Sequence, residues 1–160
     1  MVSGWLYSAR CQESQTSEHP PVSFEEKTTW LNGIVTVVVP GFYFANILAR
    51  IRDTPVSEIE YVGPMLTAIG ISIGLFIVGA IAVAISSPKD ADKSDERDRD
   101  INRFGEYVGY YVFGILVTGA LILAIIEADY FWIANAIFLA FVLASLTSAT
   151  SKLIAYRRGF

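Results

Sequence analysis

The chain is short of the residues that most often carry chemistry. It has one histidine, His19, and one cysteine, Cys11, in 160 residues. A lone cysteine closes no internal disulfide, so it says nothing of redox compartment. One histidine and one cysteine cannot build a haem ligand pair or a zinc or copper cluster within one chain, and since both lie in the polar N-terminal tail, no Ser/His/Asp or Cys/His set is expected. Phosphate loops are missing as well: the sequence has no G-x-x-x-x-G-K-[ST] and no strand-borne G-x-G-x-x-G. No cofactor is therefore expected. Nor do the first 29 residues hold an apolar run behind a basic start, so no cleaved signal peptide is expected. Insertion would then rest on the first membrane helix itself.

Charge is the next scarcity. Only 18% of residues are charged, against ~25% in soluble domains. Residues 31–49, 61–88, 107–126 and 130–151 form stretches of 19, 28, 20 and 22 positions without one Asp, Glu, Lys or Arg. The other 71 residues carry all 28 charges, so the low average conceals two populations. A buried helix of a soluble protein offers ~10–14 apolar residues before a polar face interrupts it, whereas a membrane span needs ~20. The expectation is an all-α, polytopic membrane protein: four transmembrane helices in an antiparallel bundle, with the lipid bilayer as its first partner.

Residues 1–22 read as a flexible polar tail ending in His19-Pro20-Pro21, and residues 23–160 as the membrane domain. Ser23 with Glu26 has the spacing of a capping box for a first helix over about 24–50, in which Pro40-Gly41 predicts a kink. Ser57 with Glu60 has the same spacing ahead of a second helix at about 62–86, with Gly63-Pro64 in or just before its first turn. Residues 87–105 form a charged connector. Lys89 to Arg103 alone holds five basic and six acidic residues, which cannot enter hydrocarbon. A third helix over about 95–126 should begin within the connector, since Ile101, Phe104, Gly105 and Val108 recur at helical spacing. Glu127-Ala128-Asp129 is a short turn, with Asp129 placed to cap a fourth helix at about 130–156.

The basic residues set an orientation. Ten of the twelve lie in the tail, the connector and the C-terminus, while Arg50 and Arg52 alone lie on the other side. Both termini and the connector should face the cytoplasm of a cell whose inner membrane holds the protein as a multi-pass, N-in and C-in chain.

Within this frame few motifs rise above composition. An EF-hand loop begun at Asp90 would need Gly and Glu where Asp95 and Ile101 stand, so that metal motif is absent. The connector reads as a solvated, helix-extending charged face with helix-compatible pairs Asp95–Arg99 and Asp100–Arg103, or as a docking surface for a cytoplasmic partner. Arg97, Asp98, Arg99 and Asp100 are the candidate contact residues. Its mixed charge argues against direct nucleic acid binding. Small residues mark helix packing: Gly70 and Gly74, Gly105 and Gly109, and Ala136, Ala140, Ala144 and Ser148 at strict four-residue spacing. These serve intrachain packing, a homo-oligomer contact or a seam with another membrane protein. Trp30, Tyr61, Tyr107, Tyr110, Tyr111, Tyr130, Phe131, Trp132 and Tyr156 lie at depths suited to an interfacial aromatic belt. No Asp, Glu, Lys, Arg or His interrupts the spans, which disfavours a pump or carrier acting alone.

The segments Phe24-Glu25-Glu26-Lys27, Ser87 to Asp92, Asp95 to Ile101, Ala128 to Asn135 and Ala155 to Phe160 together resemble an uncharacterised family of small four-helix bacterial membrane proteins of actinobacterial type, a domain of unknown function. The resemblance runs from Ser23 to Phe160. It implies a protein of the cytoplasmic membrane and supplies no catalytic residues.

The leading functional expectation is a non-enzymatic accessory or regulatory subunit that meets a partner through the charged connector. An oligomeric small-molecule channel or carrier lined by Asn46, Ser72, Thr118 and the fourth-helix stripe is the alternative. A lipid-modifying enzyme is the third reading, and it requires a pocket near Asn102, Arg103 and Glu106.

Overall fold

In a computed structural model of the chain, the described residues are 24–86 and 96–158, and every long element among them is a helix. We number these α1 (Phe24–Ile51), α2 (Val62–Ser86), α3 (Glu96–Ile125) and α4 (Tyr130–Arg158). The shortest has 25 residues, about 38 Å at ~1.5 Å per residue, which exceeds the ~30 Å of bilayer hydrocarbon. All four are long and apolar enough to cross a membrane. The chain thus has the architecture of a multi-pass membrane protein. Residues 1–23, 87–95 and 159–160 lie outside the described residues, and with them the tail, Ser23 of the first capping box and Asp95 of the connector.

Local chemistry accounts for the helix ends. α1 opens with Glu25 and Glu26 and closes with Arg50, the charge order that complements its dipole, and it continues as one element through Pro40. The amides of Asp53 and Thr54 bond the Arg50 carbonyl at 3.1 and 3.0 Å, and a 3-10 turn, Val56–Glu58, follows. The second capping box does not form. Ser57 sits inside that turn, while α2 starts only at Val62. Pro64, with its missing amide and fixed φ, is suited to the first helical turn, and it sets the start there. At the other corner Glu127 adopts a left-handed φ of 56°. Its amide bonds the Ala124 carbonyl at 3.2 Å and that of Ala128 bonds Leu123 at 3.0 Å, the two bonds of a Schellman ending. The Asp129 carboxylate then accepts the Phe131 amide at 2.8 Å and caps α4 as its position predicts.

The helices pack in the order α2, α1, α4, α3, and α2 barely meets α3. Thr36 faces Ser145 and Tyr43 faces Asn135, so α1 and α4 run in opposite directions. Gly105 meets Lys152 and Ser148, whereas Phe113 meets Phe141, so α3 and α4 do as well. The four helices thus form a row and not a closed ring. A core cluster of Tyr43, Ile47, Ile59, Ala68, Phe131 and Phe138 ties the two interhelical corners together at one end. Phe131 is 2% exposed, so it belongs to this core and not to the aromatic belt; Trp30, Tyr110, Tyr130 and Trp132 do face outward. Outward faces elsewhere are apolar, with Phe42, Ile85 and Ile115 each more than 70% exposed. Such faces would be a liability in water and are ordinary against lipid.

Candidate functional site

The start of α1, the start of α3 and the end of α4 gather at the end of the molecule away from the core cluster. α3 begins eleven residues ahead of its uncharged stretch, so about 16 Å of helix carries the connector charges. Two contacts pin this extension. Ile101 is fully buried, and Glu106 accepts an ion pair from the Lys152 Nζ at 2.5 Å. The Lys152 side chain is only 12% exposed, because its stem lies over Gly105, where any added Cβ would strike it. Arg157 of α4 stacks on the Trp30 ring of α1 at 5.8 Å from the centroid, closing the third side.

On this platform Arg97, Arg99 and Asp100 are exposed and Asp98 is half-buried. Asp100 and Arg103 do not come within ion-pair distance, so the expected i, i+3 pair is not made; the other expected pair needs Asp95, which is outside the described residues. Among the described residues neither Asp100 nor Arg103 makes an ion pair. Beneath the platform a cavity of about 220 Å³ is bordered by Glu25, Thr28 and Asn32 of α1, Phe76 of α2, Asn102 and Glu106 of α3, and Lys152 of α4. This meets the spatial requirement of the lipid-enzyme reading at Asn102 and Glu106; Arg103 does not line it. Among the described residues, no group of three His, Cys, Asp or Glu side chains is placed to hold a metal ion.

From the cavity a polar seam descends between α1 and α4. The Asn32 amide donates to the Ser145 Oγ at 3.4 Å, which shares a 3.3 Å hydrogen bond with the Thr36 hydroxyl. Deeper, the Tyr43 hydroxyl donates to the Asn135 Oδ1 at 2.8 Å, and the Asn135 amide donates to the Phe131 carbonyl. Both residues are buried. The sequence pattern does not mark Tyr43. The available signal was a tyrosine inside a charge-free span, whose hydroxyl needs a partner when buried.

The small residues divide. A Cβ on Gly109 would lie 3.0 Å from the Ser148 Cβ and 3.1 Å from the Ala144 carbonyl, so Gly105 and Gly109 seat α3 on the stripe of α4. Ala140, Ala144 and Ser148 are buried there and Ala136 is half-buried. Gly70 and Gly74 instead face outward with nothing within 4 Å of an added Cβ, and take no part in packing within the chain. Of the channel residues, Asn46, Ser72 and Thr118 each donate to a carbonyl of their own helix, at 3.3, 2.8 and 2.8 Å. No family model, curated protein or solved structure matches the chain.

Proposed function

We propose that the protein is a non-enzymatic accessory or regulatory subunit of a bacterial cytoplasmic membrane, forming an antiparallel bundle with both termini and the charged connector in the cytoplasm. It presents the α3 extension to a partner protein. The observation that supports this reading is the pinning of that extension: Ile101 and the Glu106–Lys152 pair hold a charged helix rigidly above the membrane helices, with Arg97, Arg99 and Asp100 directed outward. A rigid surface loses little conformational entropy when a partner binds it. The orientation rests on the ten-to-two division of basic residues.

Purification in mild detergent from cells expressing the protein at native level tests this. The expected result is a stoichiometric partner that is lost when Arg97 and Arg99 are both changed to Glu. Retention of that partner by the double variant, or a monomer with nothing bound, would contradict it. The cavity beside Glu106 favours one second reading, an enzyme acting on lipid at the inner interface. Turnover of a phospholipid by the purified protein, abolished by Glu106→Gln, would establish that reading in place of the first.

A further inference from the structure

A different surface lies at the opposite end of the molecule. Between α1 and α2 runs a groove of about 390 Å³ with Arg50 and Asn46 at its mouth and Val39, Ala68 and Ile71 along its walls. We propose that this groove binds one phospholipid of net negative charge, its phosphate held by Arg50 at the mouth and one acyl chain lying between the two helices. The proposal is independent of the partner surface on α3, and either can fail without the other.

The length of the groove suits one acyl chain. Arg50 and Val39 are eleven residues apart on α1, about 16 Å along the axis, and one leaflet of a ~30 Å hydrocarbon core is ~15 Å deep. The groove therefore matches the depth of a single leaflet, with the cation at the headgroup end and apolar walls toward the bilayer centre. A free phosphate would use only the mouth and leave the walls uncovered.

The groove mouth carries an uncompensated cation. Among the described residues the Arg50 guanidinium makes no ion pair and no hydrogen bond, although Asp53 lies one turn away. Its planar fork of donors fits phosphate oxygens two at a time. Asn46 uses one amide hydrogen on the Phe42 carbonyl at 3.3 Å, and a second remains for the same phosphate. α2 begins at this mouth without an acidic residue in its first turn, so its positive end is not countered from within the helix. Thr67, on the wall, donates its hydroxyl to the Gly63 carbonyl at 2.8 Å, which removes a free polar group from the path of the chain.

The test uses the full chain in detergent, titrated with dioleoylphosphatidylglycerol, dioleoylphosphatidylcholine or inorganic phosphate, and read by native mass spectrometry and by thermal unfolding. One phosphatidylglycerol should bind per chain roughly tenfold more tightly than phosphatidylcholine, whose phosphate Arg50 can also reach but whose choline cation it repels. Arg50→Gln should erase that preference and Arg52→Gln should leave it unchanged. Ile71→Trp, which fills the groove and spares the cation, should weaken both lipids. Should Arg50→Gln not fold, Arg50→Lys carries the test, with a preference reduced but present. The proposal is overturned if Arg50→Gln or Ile71→Trp binds phosphatidylglycerol as the unaltered chain does, if Arg50→Lys prefers neither lipid, or if inorganic phosphate displaces the lipid.

Discussion

At the scale of single residues, the absence of a side chain at position 109 sets how closely α3 can approach α4. Bulk added there meets the Ala144 carbonyl, which cannot move without moving the helix. Gly109→Leu should destabilise the protein by about 1–3 kcal/mol in thermal unfolding, the usual cost of overpacking, whereas Gly70→Leu should stay within ~0.5 kcal/mol. Equal effects would mean that α3 and α4 do not pack as described. Both glycines stand in the same G-x-x-x-G spacing, and the sequence could not separate them. Spacing records that a backbone can be approached, while the identity of what approaches depends on which helices become neighbours. The buried pair makes the same point. Tyr43 and Asn135 are 92 positions apart and each looks like an isolated polar residue until the helices are set side by side. Tyr43→Phe should cost ~1 kcal/mol by orphaning the Asn135 Oδ1, and the double variant Tyr43→Phe, Asn135→Leu should recover part of that loss. A strictly additive cycle would remove the bond from the account.

At the scale of elements, helix ends were legible where the signal was local. The Asp129 cap, the turn before it and the proline in the first turn of α2 were all readable from neighbours in the sequence, and the four uncharged stretches mark the four helices. The capping box at Ser57 failed because the same spacing also fits a 3-10 turn, and Pro64 starts the helix later. Glu127 is the least expected feature. A residue with a Cβ in the left-handed region costs ~1–2 kcal/mol, and glycine removes that cost at the αL position of a Schellman ending. Glu127→Gly should therefore raise stability by about 1 kcal/mol, read as a higher unfolding temperature in detergent. No change, or a decrease, would indicate that the Glu127 carboxylate contributes more than the backbone loses. The ion pair between Glu106 and Lys152 was not legible, since its partners lie 46 positions apart at the edges of different stretches. Lys152→Ala should destabilise more than Glu106→Ala, because the lysine stem also covers Gly105.

At the scale of the whole molecule, the charges and the packing divide the protein in the same way. One end holds the core cluster, both short corners and two basic residues. The other holds the α3 extension, the polar cavity, the start of α1 and the end of α4. Helix order adds what composition could not supply, since α4 lies between α1 and α3 and leaves α2 with the most surface open to lipid. The charged end is proposed to lie in the cytoplasm, on the ten-to-two division of basic residues. Single-cysteine reporters decide it most directly: in a Cys11→Ser background, Ser57→Cys and Asp98→Cys are each treated with a membrane-impermeant maleimide in intact cells and again after permeabilisation. Labelling of Ser57→Cys in intact cells, with Asp98→Cys reacting only after permeabilisation, is the predicted result. The reverse pattern, or labelling of both positions in intact cells, would contradict the account.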